Sequence, residues 1–403
     1  MSTSFAGETE SLRGGRRAWR AYPGSDIRPQ YTGKVSPTTE PPIRIRSEIL
    51  AVPPYRQGAA PTRPGFKLSS NENPFPPLPA VEAALVAQTG MNRYAGAAMP
   101  ELRAAIGERF GLDRAASQQA VHLAPGSVAI LYQLMQAVVG PGESFVHAWP
   151  SFEGYPFLGL ASGAECVKVP LAPGARHDLD AMAEACTERT RAVILCSPNN
   201  PTGPAINRDE FDRFMGLVPA DTLVILDEAY REFVTDPQAV RGEDVLALHP
   251  NLVVLRTFSK AFGLAGLRIG YAVGDPRVLD AARTTAVPLA VTAQAEAAAL
   301  ATLAPEALAT LESQIAELVE RRSALVAGLR EQGYDVPDAQ ANFVWIELGD
   351  DAVALADAFV AEGTLVRPFP GHGVRISVGE ADSVAEVLRI TAAFVARGTG
   401  GEA

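Results

Sequence analysis

The 403-residue sequence has little cysteine and histidine and no long apolar run. Its three cysteines are an odd number without paired ligand spacing, which favours reduced thiols in the core of a cytoplasmic protein. Its five histidines are scattered, and no two lie four residues apart, so a metal site is not expected. No apolar stretch reaches the roughly 18 residues of a membrane span, and we expect no membrane association.

The chain also lacks an excess of positive charge. Asp and Glu number 46 against 35 Lys and Arg, and the net charge of −11 argues against a nucleic-acid partner. Only residues 1–46 reverse this balance, with eight basic residues against four acidic ones. This segment has neither the apolar core nor the amphipathic helix of a targeting peptide, so we expect a disordered basic extension, with a docking tail as the alternative.

From about Val81 onward, short apolar segments alternate with helical patterns. The segments predicted to be strands are Ala120–Leu123, Phe145–Ala148, Cys166–Val169, Ala192–Cys196, Leu223–Leu226, Leu252–Leu255 and Ile269–Val273. Such alternation predicts an α/β fold with a mostly parallel sheet of seven strands covered by helices. Ligands in such folds bind at the carboxyl ends of the strands.

The pattern changes after Pro288. An alanine-rich stretch, Ala293–Ala327, predicts one or two helices, and a strand is predicted over Phe343–Glu347. A further helix, two β-like runs over Thr364–Arg367 and Val374–Val378, and a closing helix complete the chain. The pattern is typical of a smaller α+β domain.

A lysine follows the predicted strand Leu252–Leu255 in an unusual setting. Lysine forms a reversible imine with an aldehyde when burial or cationic neighbours lower its pKa, and Lys260 is a candidate for this chemistry. The hydroxyls of Thr257 and Ser259 and the guanidinium of Arg268 could hold a phosphate dianion. The stretch therefore suits a covalently held, phosphorylated aldehyde cofactor, although a lone lysine after a strand is more often an exposed surface residue.

Polar residues follow three other predicted strands. Gly126 and Ser127 open a helix whose free N–H groups suit a phosphate, and Asn200 lies in a rigid turn between prolines. Asp227 could keep a pyridine nitrogen protonated, and Tyr230 could reach the phenolic oxygen of the same ring. Each feature alone is also an ordinary helix cap, turn or solvated acid. Together they appear in the order that one pyridoxal phosphate molecule requires.

These motifs give the chain a recognisable family resemblance. From about Arg46 to its end, the chain resembles the fold-type-I pyridoxal-phosphate aminotransferases, in the branch of the histidinol-phosphate and aromatic amino acid (phenylalanine) aminotransferases. The matching elements are Asn71-Glu72-Asn73-Pro74, Asn92-Arg93-Tyr94, Ser197–Gly203, Asp227–Tyr230, Ser259-Lys260-Ala261-Phe262 and Gly373-Val374-Arg375-Ile376. The resemblance implies a three-layer large domain and pyridoxal 5'-phosphate as the cofactor.

The resemblance also implies a role for each matching residue. Lys260 and Asp227 would be catalytic: Lys260 would link the cofactor and move a proton at the substrate α-carbon, while Asp227 would pair with the pyridinium. Asn200 and Tyr230 would contact the 3′-oxygen of the ring. The residues implied to bind the phosphate are Gly126, Ser127, Ser259 and Arg268.

Two further contacts implied by the resemblance involve aromatic residues. Phe152 would stack on the cofactor ring, with Trp149 as its rival. Tyr94 would reach the phosphate bound by a neighbouring subunit, which implies a homodimer. The implied domain boundaries are an N-terminal arm over 47–80 that contributes to the small domain and the dimer, a large cofactor-binding domain over 81–287 and a small C-terminal domain over 288–403.

The substrate is harder to choose. The resemblance implies substrate contacts for Tyr55, Asn200, Arg367 and Arg375. Arg375 would bind the substrate α-carboxylate through two parallel hydrogen bonds. Ser127-Val128-Ala129 replaces the acidic pair usual in enzymes specific for histidinol phosphate. This departure favours an aromatic donor, phenylalanine or tyrosine, with 2-oxoglutarate or a similar keto acid as acceptor.

Other substrates and activities remain open. Arg367 lies where the histidinol-phosphate enzymes bind the substrate phosphate, and Tyr55 matches another of their contacts, so that substrate is the alternative. A decarboxylase acting on a phosphorylated amino acid is less favoured. The sensor domain of a transcription regulator would need a winged-helix domain that the first 46 residues are too few to supply.

Overall fold

The computed structural model describes residues 43–54, 64–96 and 98–399, with side chains described as far as residue 397. The predicted basic extension, apart from its last four residues, and Tyr55 lie outside these ranges. The chain divides after Pro53 into two compact units. The described residues of the first unit contain the short helix α1 (Ser47–Leu50). All other elements belong to the second unit.

The second unit contains a seven-stranded sheet in the order β1-β7-β6-β5-β4-β2-β3. Its strands are β1 (Val121–Ala124), β2 (Ser144–Trp149), β3 (Glu165–Pro170), β4 (Thr190–Cys196), β5 (Leu223–Asp227), β6 (Leu252–Thr257) and β7 (Gly270–Gly274). All neighbouring strands are parallel except β7, which is antiparallel to both β6 and β1. The mostly parallel seven-stranded sheet predicted from the sequence is therefore confirmed.

Helices follow most of the strands. Their bounds are α2 (Pro79–Ala87), α3 (Pro100–Glu108), α4 (Arg114–Ala120), α5 (Ser127–Val138), α6 (Tyr155–Ser162), α7 (Leu179–Glu184), α8 (Arg208–Leu217), α9 (Gly242–Val245), α10 (Pro276–Thr284), α11 (Ala293–Thr302), α12 (Pro305–Glu331), α13 (Ala352–Ala361) and α14 (Ala381–Thr399). None of these helices, in the part of the chain described, combines the length and the apolar character needed to cross a bilayer.

Both faces of the large sheet are buried, as β5 shows. Its residues Leu223 and Ile225 pack in one apolar cluster with side chains of α5, α6 and α10. The alternate residues Val224 and Leu226 pack in a second cluster with side chains of α7 and α8. Because successive side chains of a strand point to opposite faces, helices cover the sheet on both sides. This arrangement confirms the three-layer architecture.

A second, antiparallel sheet has the order β8-β10-β9 and comprises β8 (Phe343–Gly349), β9 (Arg367–Phe369) and β10 (His372–Ser377). The β-like run predicted over Thr364–Arg367 starts three residues and ends two residues before the observed strand β9. Leu365, before the strand, instead donates its N–H to the carbonyl of Phe66 at 2.8 Å and forms an isolated bridge with Lys67. A partner almost 300 residues away leaves no local signal in the sequence.

Candidate active site

Three neighbouring parallel strands bring the predicted ring contacts together. β4, β5 and β6 lie side by side in the sheet, so the residues that follow them share one edge. Asn200 follows β4, Asp227 ends β5 and Lys260 follows β6. The sheet thus holds an amide, a carboxylate and an amine at the edge where α/β proteins bind ligands.

An anion cradle forms beside this edge, because β7 runs between β1 and β6. Gly270, the first residue of β7, pairs with Ala124 of β1 and with Thr257 of β6. This pairing places the turn after β1 beside the segment after β6. Arg268 donates from Nη1 to the Ser259 hydroxyl at 3.2 Å.

A glycine is needed where that turn meets the arginine. Gly126 has a φ of +83°, and a Cβ at this position would lie only 2.5 Å from Nη2 of Arg268. Ser127 is buried and begins the twelve-residue helix α5, whose first N–H groups have no partner within the helix. A helix start, a hydroxyl and a guanidinium make a site for an anion such as phosphate.

The Lys260 amine is prepared for nucleophilic chemistry. Its Nζ donates a hydrogen bond to the carbonyl of Ser70 at 2.9 Å. Burial lowers the pKa of Lys260 to about 7. The positive charges of Arg375 and Arg268 add to this effect, whereas the negative charge of Glu72 opposes it. A substantial fraction of neutral amine is therefore present near neutral pH, as imine formation requires.

Asp227 presents one carboxylate oxygen without a partner. The residue is 5 % exposed, and its Oδ2 accepts a hydrogen bond from the hydroxyl of Tyr155 at 2.8 Å. Its buried Oδ1 has no partner at hydrogen-bond geometry. Burial raises the pKa of Asp227 to about 6, and the Tyr155 hydrogen bond opposes that rise. A buried orphan acceptor of this kind calls for a donor from a ligand.

Two polar networks hold the opposite side of the site. Arg375, on β10, donates from Nη1 to Oδ1 of Asn200 at 2.5 Å and from Nη2 to the carbonyl of Ser69 at 2.6 Å. The Tyr230 hydroxyl accepts a hydrogen bond from Nδ2 of Asn71 at 3.0 Å. Burial raises the pKa of Tyr230, so this phenol stays protonated at neutral pH.

Asn71 is itself held firmly in place. It has a φ of +53°, in the left-handed region. Ser377 fixes it twice: its hydroxyl donates to Oδ1 of Asn71 at 2.7 Å and accepts from the Asn71 N–H at 2.8 Å. Sequence reasoning missed Ser377 and Tyr155 as supporting residues, because neither stands in a local motif.

The two candidates for the aromatic stacking contact have different neighbours. Phe152 packs edge to face on Tyr155, with ring centres 5.4 Å apart. Trp149 instead packs against His372 at 6.5 Å, and the Lys168 amine lies 4.3 Å from its ring centre. Phe152 therefore contacts the residue that holds Asp227, whereas Trp149 packs on other neighbours.

Three predicted contacts remain, of which Arg367 is paired with Arg375 across β9 and β10. Arg367, on β9, forms a two-point ion pair with Glu153, the residue after Phe152. Tyr94 is 83 % exposed. Tyr55 lies outside the described residues.

Comparison with known proteins places the chain in a family. The model of the family described as aminotransferase class I and II matches residues 63–397. An aromatic amino acid aminotransferase of Streptomyces avermitilis is 47 % identical over 357 residues, which cover 87 % of this chain and 97 % of the relative. The enzyme of the same name from Streptomyces coelicolor is 46 % identical, with the same coverage.

Solved structures agree with this placement. A histidinol-phosphate aminotransferase from Sinorhizobium meliloti in complex with pyridoxal-5'-phosphate has a TM-score of 0.77 and 26 % identity, and the match covers 88 % of this chain and 98 % of that one. A Thermus thermophilus aspartate aminotransferase mutant has a TM-score of 0.75 and 25 % identity, and the match covers 87 % and 99 % of the two chains.

The chain belongs to the class I and II aminotransferase family. It is a pyridoxal-phosphate-dependent transaminase, whose substrates are amino acids and keto acids. The residues present fit the cofactor: the orphan Oδ1 of Asp227 matches a pyridinium N–H, and the Gly126–Arg268 cradle matches a phosphate. The aminotransferase activity and the cofactor predicted from the sequence are confirmed.

Proposed function

We propose that this aminotransferase takes its amino group from an aromatic amino acid of the phenylalanine and tyrosine class and passes it to 2-oxoglutarate or a similar keto acid. The observation that carries this choice is the ion pair between Arg367 and Glu153. An arginine that already holds a carboxylate is a poor receptor for a substrate phosphate. The names of the curated relatives support the same choice.

The positions of the site residues support the roles that we assign to them. Bound pyridoxal phosphate supplies an electron sink for the negative charge that develops at the substrate α-carbon. Lys260 would hold the cofactor through its aldehyde and would move the proton at the substrate α-carbon. Asp227 Oδ1 would accept a hydrogen bond from the pyridinium N–H and keep the ring nitrogen protonated, and Phe152 would cover the ring.

Other residues fix the cofactor and the substrate. Asn200 and Tyr230 would hold the 3′-oxygen of the ring, and Arg375 would bind the substrate α-carboxylate through two parallel hydrogen bonds. We assign the phosphate to Gly126, Ser127, Ser259 and Arg268. This assignment is supported by the contacts among the four residues described above.

Assembly and location extend the same proposal. Tyr94 is exposed in the isolated chain and would reach the phosphate bound by a second copy in a homodimer. We propose a cofactor-binding domain over 81–287, which contains the large sheet, and a small domain over 288–403, which contains the small sheet. Residues 47–80 would form an N-terminal arm that contributes to the small domain and to the dimer. We place the enzyme in the cytoplasm.

Titration of the purified holoenzyme with single amino donors tests the substrate assignment. We expect phenylalanine to remove the visible absorbance band of the lysine-linked cofactor and to yield a keto acid. Histidinol phosphate should leave the band in place at the same concentration. Bleaching by histidinol phosphate but not by phenylalanine would reverse the assignment, and release of carbon dioxide in place of a keto acid would indicate a decarboxylase.

The hydrogen bond from Tyr155 to Asp227 leads to a separate prediction. Tyr155→Phe removes a donor from the buried carboxylate and should raise the pKa of Asp227. A carboxyl whose pKa is raised loses its charge at a higher pH. As the pH is lowered from 7 to 6, the cofactor affinity of the variant should therefore begin to fall at a higher pH than that of the wild-type protein. At neutral pH we expect a loss of about 1–3 kcal/mol in cofactor binding.

Cofactor dissociation constants measured between pH 5.5 and 8.5 check this prediction. Tyr334→Phe is a matched control, because its hydroxyl donates at 3.0 Å to the carbonyl of Thr391, which is not one of the predicted site residues. An affinity profile for Tyr155→Phe that coincides with that of the control would show that Tyr155 does not tune Asp227.

A further inference from the structure

Two successive backbone carbonyls of the N-terminal arm contact the two principal cations of the site. The Ser69 carbonyl accepts a hydrogen bond from Nη2 of Arg375 at 2.6 Å, and the Ser70 carbonyl accepts one from Nζ of Lys260 at 2.9 Å. Arg375 lies on β10 of the small sheet, whereas Lys260 follows β6 of the large sheet. This short segment therefore connects the lysine to the arginine proposed to bind the substrate carboxylate.

The peptide group between Ser70 and Asn71 is held at both ends. Its N–H donates to Oγ of Ser377 at 2.8 Å, and its carbonyl accepts from Lys260. The N–H and the carbonyl of a trans peptide point in opposite directions, so this peptide lies between the Ser377 hydroxyl and the Lys260 amine. The next carbonyl, that of Asn71, accepts from Nδ2 of Asn342 at 3.2 Å.

The direction of the Ser70 carbonyl depends on the backbone of Asn71. The φ of Asn71 is +53°, and this angle sets how the preceding peptide is turned. The left-handed region is unfavourable for a residue other than glycine unless the surroundings hold it there. Ser377 provides this restraint, because its hydroxyl accepts from the Asn71 N–H and also donates to Oδ1 of Asn71 at 2.7 Å.

The Ser70 carbonyl restricts the orientation of the Lys260 amine. A neutral amine has two N–H groups and one lone pair, and an N–H donated to Ser70 fixes the directions left for the lone pair. Uptake of the substrate α-proton converts the amine to an ammonium, and the electron pair of the broken C–H bond is left to the electron sink. The same carbonyl then stabilises the ammonium, because it accepts a hydrogen bond from the charged form.

We propose that Ser377 is a positioning residue, which fixes the Ser70–Asn71 peptide so that its carbonyl orients the amine of Lys260 for proton transfer. This inference rests on the proposed role of Lys260. Ser377→Ala removes both hydrogen bonds that hold Asn71 in the left-handed region. The peptide can then turn its carbonyl away from Lys260.

The kinetics of the Ser377→Ala holoenzyme give the first test. We expect kcat for phenylalanine to fall about 10- to 100-fold, because a poorly oriented base slows the proton transfer. KM should change little, since Arg375 keeps its hydrogen bonds to Asn200 and Ser69. The primary isotope effect on kcat with α-deuterated phenylalanine should increase, because proton transfer becomes the slowest step. A purely structural loss of active enzyme would leave that isotope effect unchanged.

The pKa of Lys260 in the cofactor-free protein gives a second test that involves no substrate. Acylation of Lys260 at different pH values, followed by mass spectrometry of its peptide, reports this pKa. Loss of an acceptor for the ammonium should shift the pKa from about 7 to a lower value. The charged and titratable groups around the amine, which Ser377→Ala leaves in the chain, are Arg375, Arg268, Lys67, Glu72 and Tyr230.

Ser383→Ala is the matched control. Ser383 is also a buried serine of the C-terminal part of the chain, but its hydroxyl donates to the carbonyl of Glu380 at 2.6 Å. This variant should keep the wild-type kcat, isotope effect and Lys260 pKa.

Two variants of Asn71 separate the backbone from the side chain. Asn71→Gly and Asn71→Ala both remove the side-chain contacts with Ser377 and Tyr230. Only glycine adopts a positive φ without strain. We therefore expect the isotope effect and the Lys260 pKa of Asn71→Gly to lie closer to the wild-type values than those of Asn71→Ala.

The outcomes distinguish this inference from the proposed function. An unchanged isotope effect together with an unchanged Lys260 pKa in Ser377→Ala would overturn the positioning role, as would equal shifts in the two Asn71 variants. Normal turnover in Lys260→Ala would instead overturn the role of the lysine, whatever Ser377→Ala does.

Discussion

Lys260→Ala abolishes steady-state transamination, with a decrease in kcat of at least about 10³–10⁴-fold, since the same amine both links the cofactor and moves the proton. No other described lysine can replace it: Lys67 is paired with Glu72, and Lys168 lies over Trp149. The cradle at Gly126 and Arg268 is untouched, so the variant should still bind the cofactor non-covalently. Turnover assays together with absorbance spectra check both expectations.

Lys168→Ala is the matched control for this variant, because it also removes one lysine charge but lies beside Trp149, away from the site. It should retain the wild-type spectrum and rate. Normal turnover in purified Lys260→Ala would remove this residue from the mechanism.

Asp227→Asn gives the second large expected effect. The amide has nearly the same shape but no negative charge, so it cannot stabilise a protonated pyridine nitrogen. Breaking a buried charge pair costs about 3–5 kcal/mol, which predicts a decrease in kcat of about 10²–10³-fold or more. The variant should keep its fold, because Tyr155 can still donate to the remaining carbonyl oxygen.

The pH dependence of cofactor binding adds a second readout. The pKa of the cofactor-free Asp227 is raised to about 6, so its charge, and its attraction for the pyridinium, is present above pH 6 and is lost as the pH falls through 6. Asp227→Asn should remove this dependence. Asp212→Asn, which alters an exposed pair with Arg208, is the control. An unchanged rate in Asp227→Asn would show that another group holds the ring nitrogen.

The residues at strand ends could be found from the sequence because strand order and function coincide there. Apolar runs mark the strands, and the polar residue after each run marks the ligand edge. Asn200, Asp227 and Lys260 follow three adjacent parallel strands, so their convergence is a consequence of the topology. The cradle at Gly126 and Arg268 follows from the same sheet through the antiparallel strand β7.

The supporting contacts could not be predicted in this way. Tyr155 meets Asp227 across 72 residues, Ser377 meets Asn71 across 306, and Glu153 meets Arg367 across 214. No periodicity or local motif records such pairs, because they depend on how distant segments pack. Arg367 illustrates the consequence: its position suggests a phosphate receptor, whereas the structure gives it a carboxylate partner.

Chemical mapping of the cofactor link tests the central claim most directly. The sequence contains only four lysines, Lys34, Lys67, Lys168 and Lys260. Reduction of the holoenzyme with borohydride fixes the cofactor to its lysine, and mass spectrometry of the peptides then identifies that residue. We predict one modified lysine per chain, Lys260, and loss of the modification when phenylalanine is added before the reductant. Modification of any other lysine, or none at all, would contradict the assignment of this site.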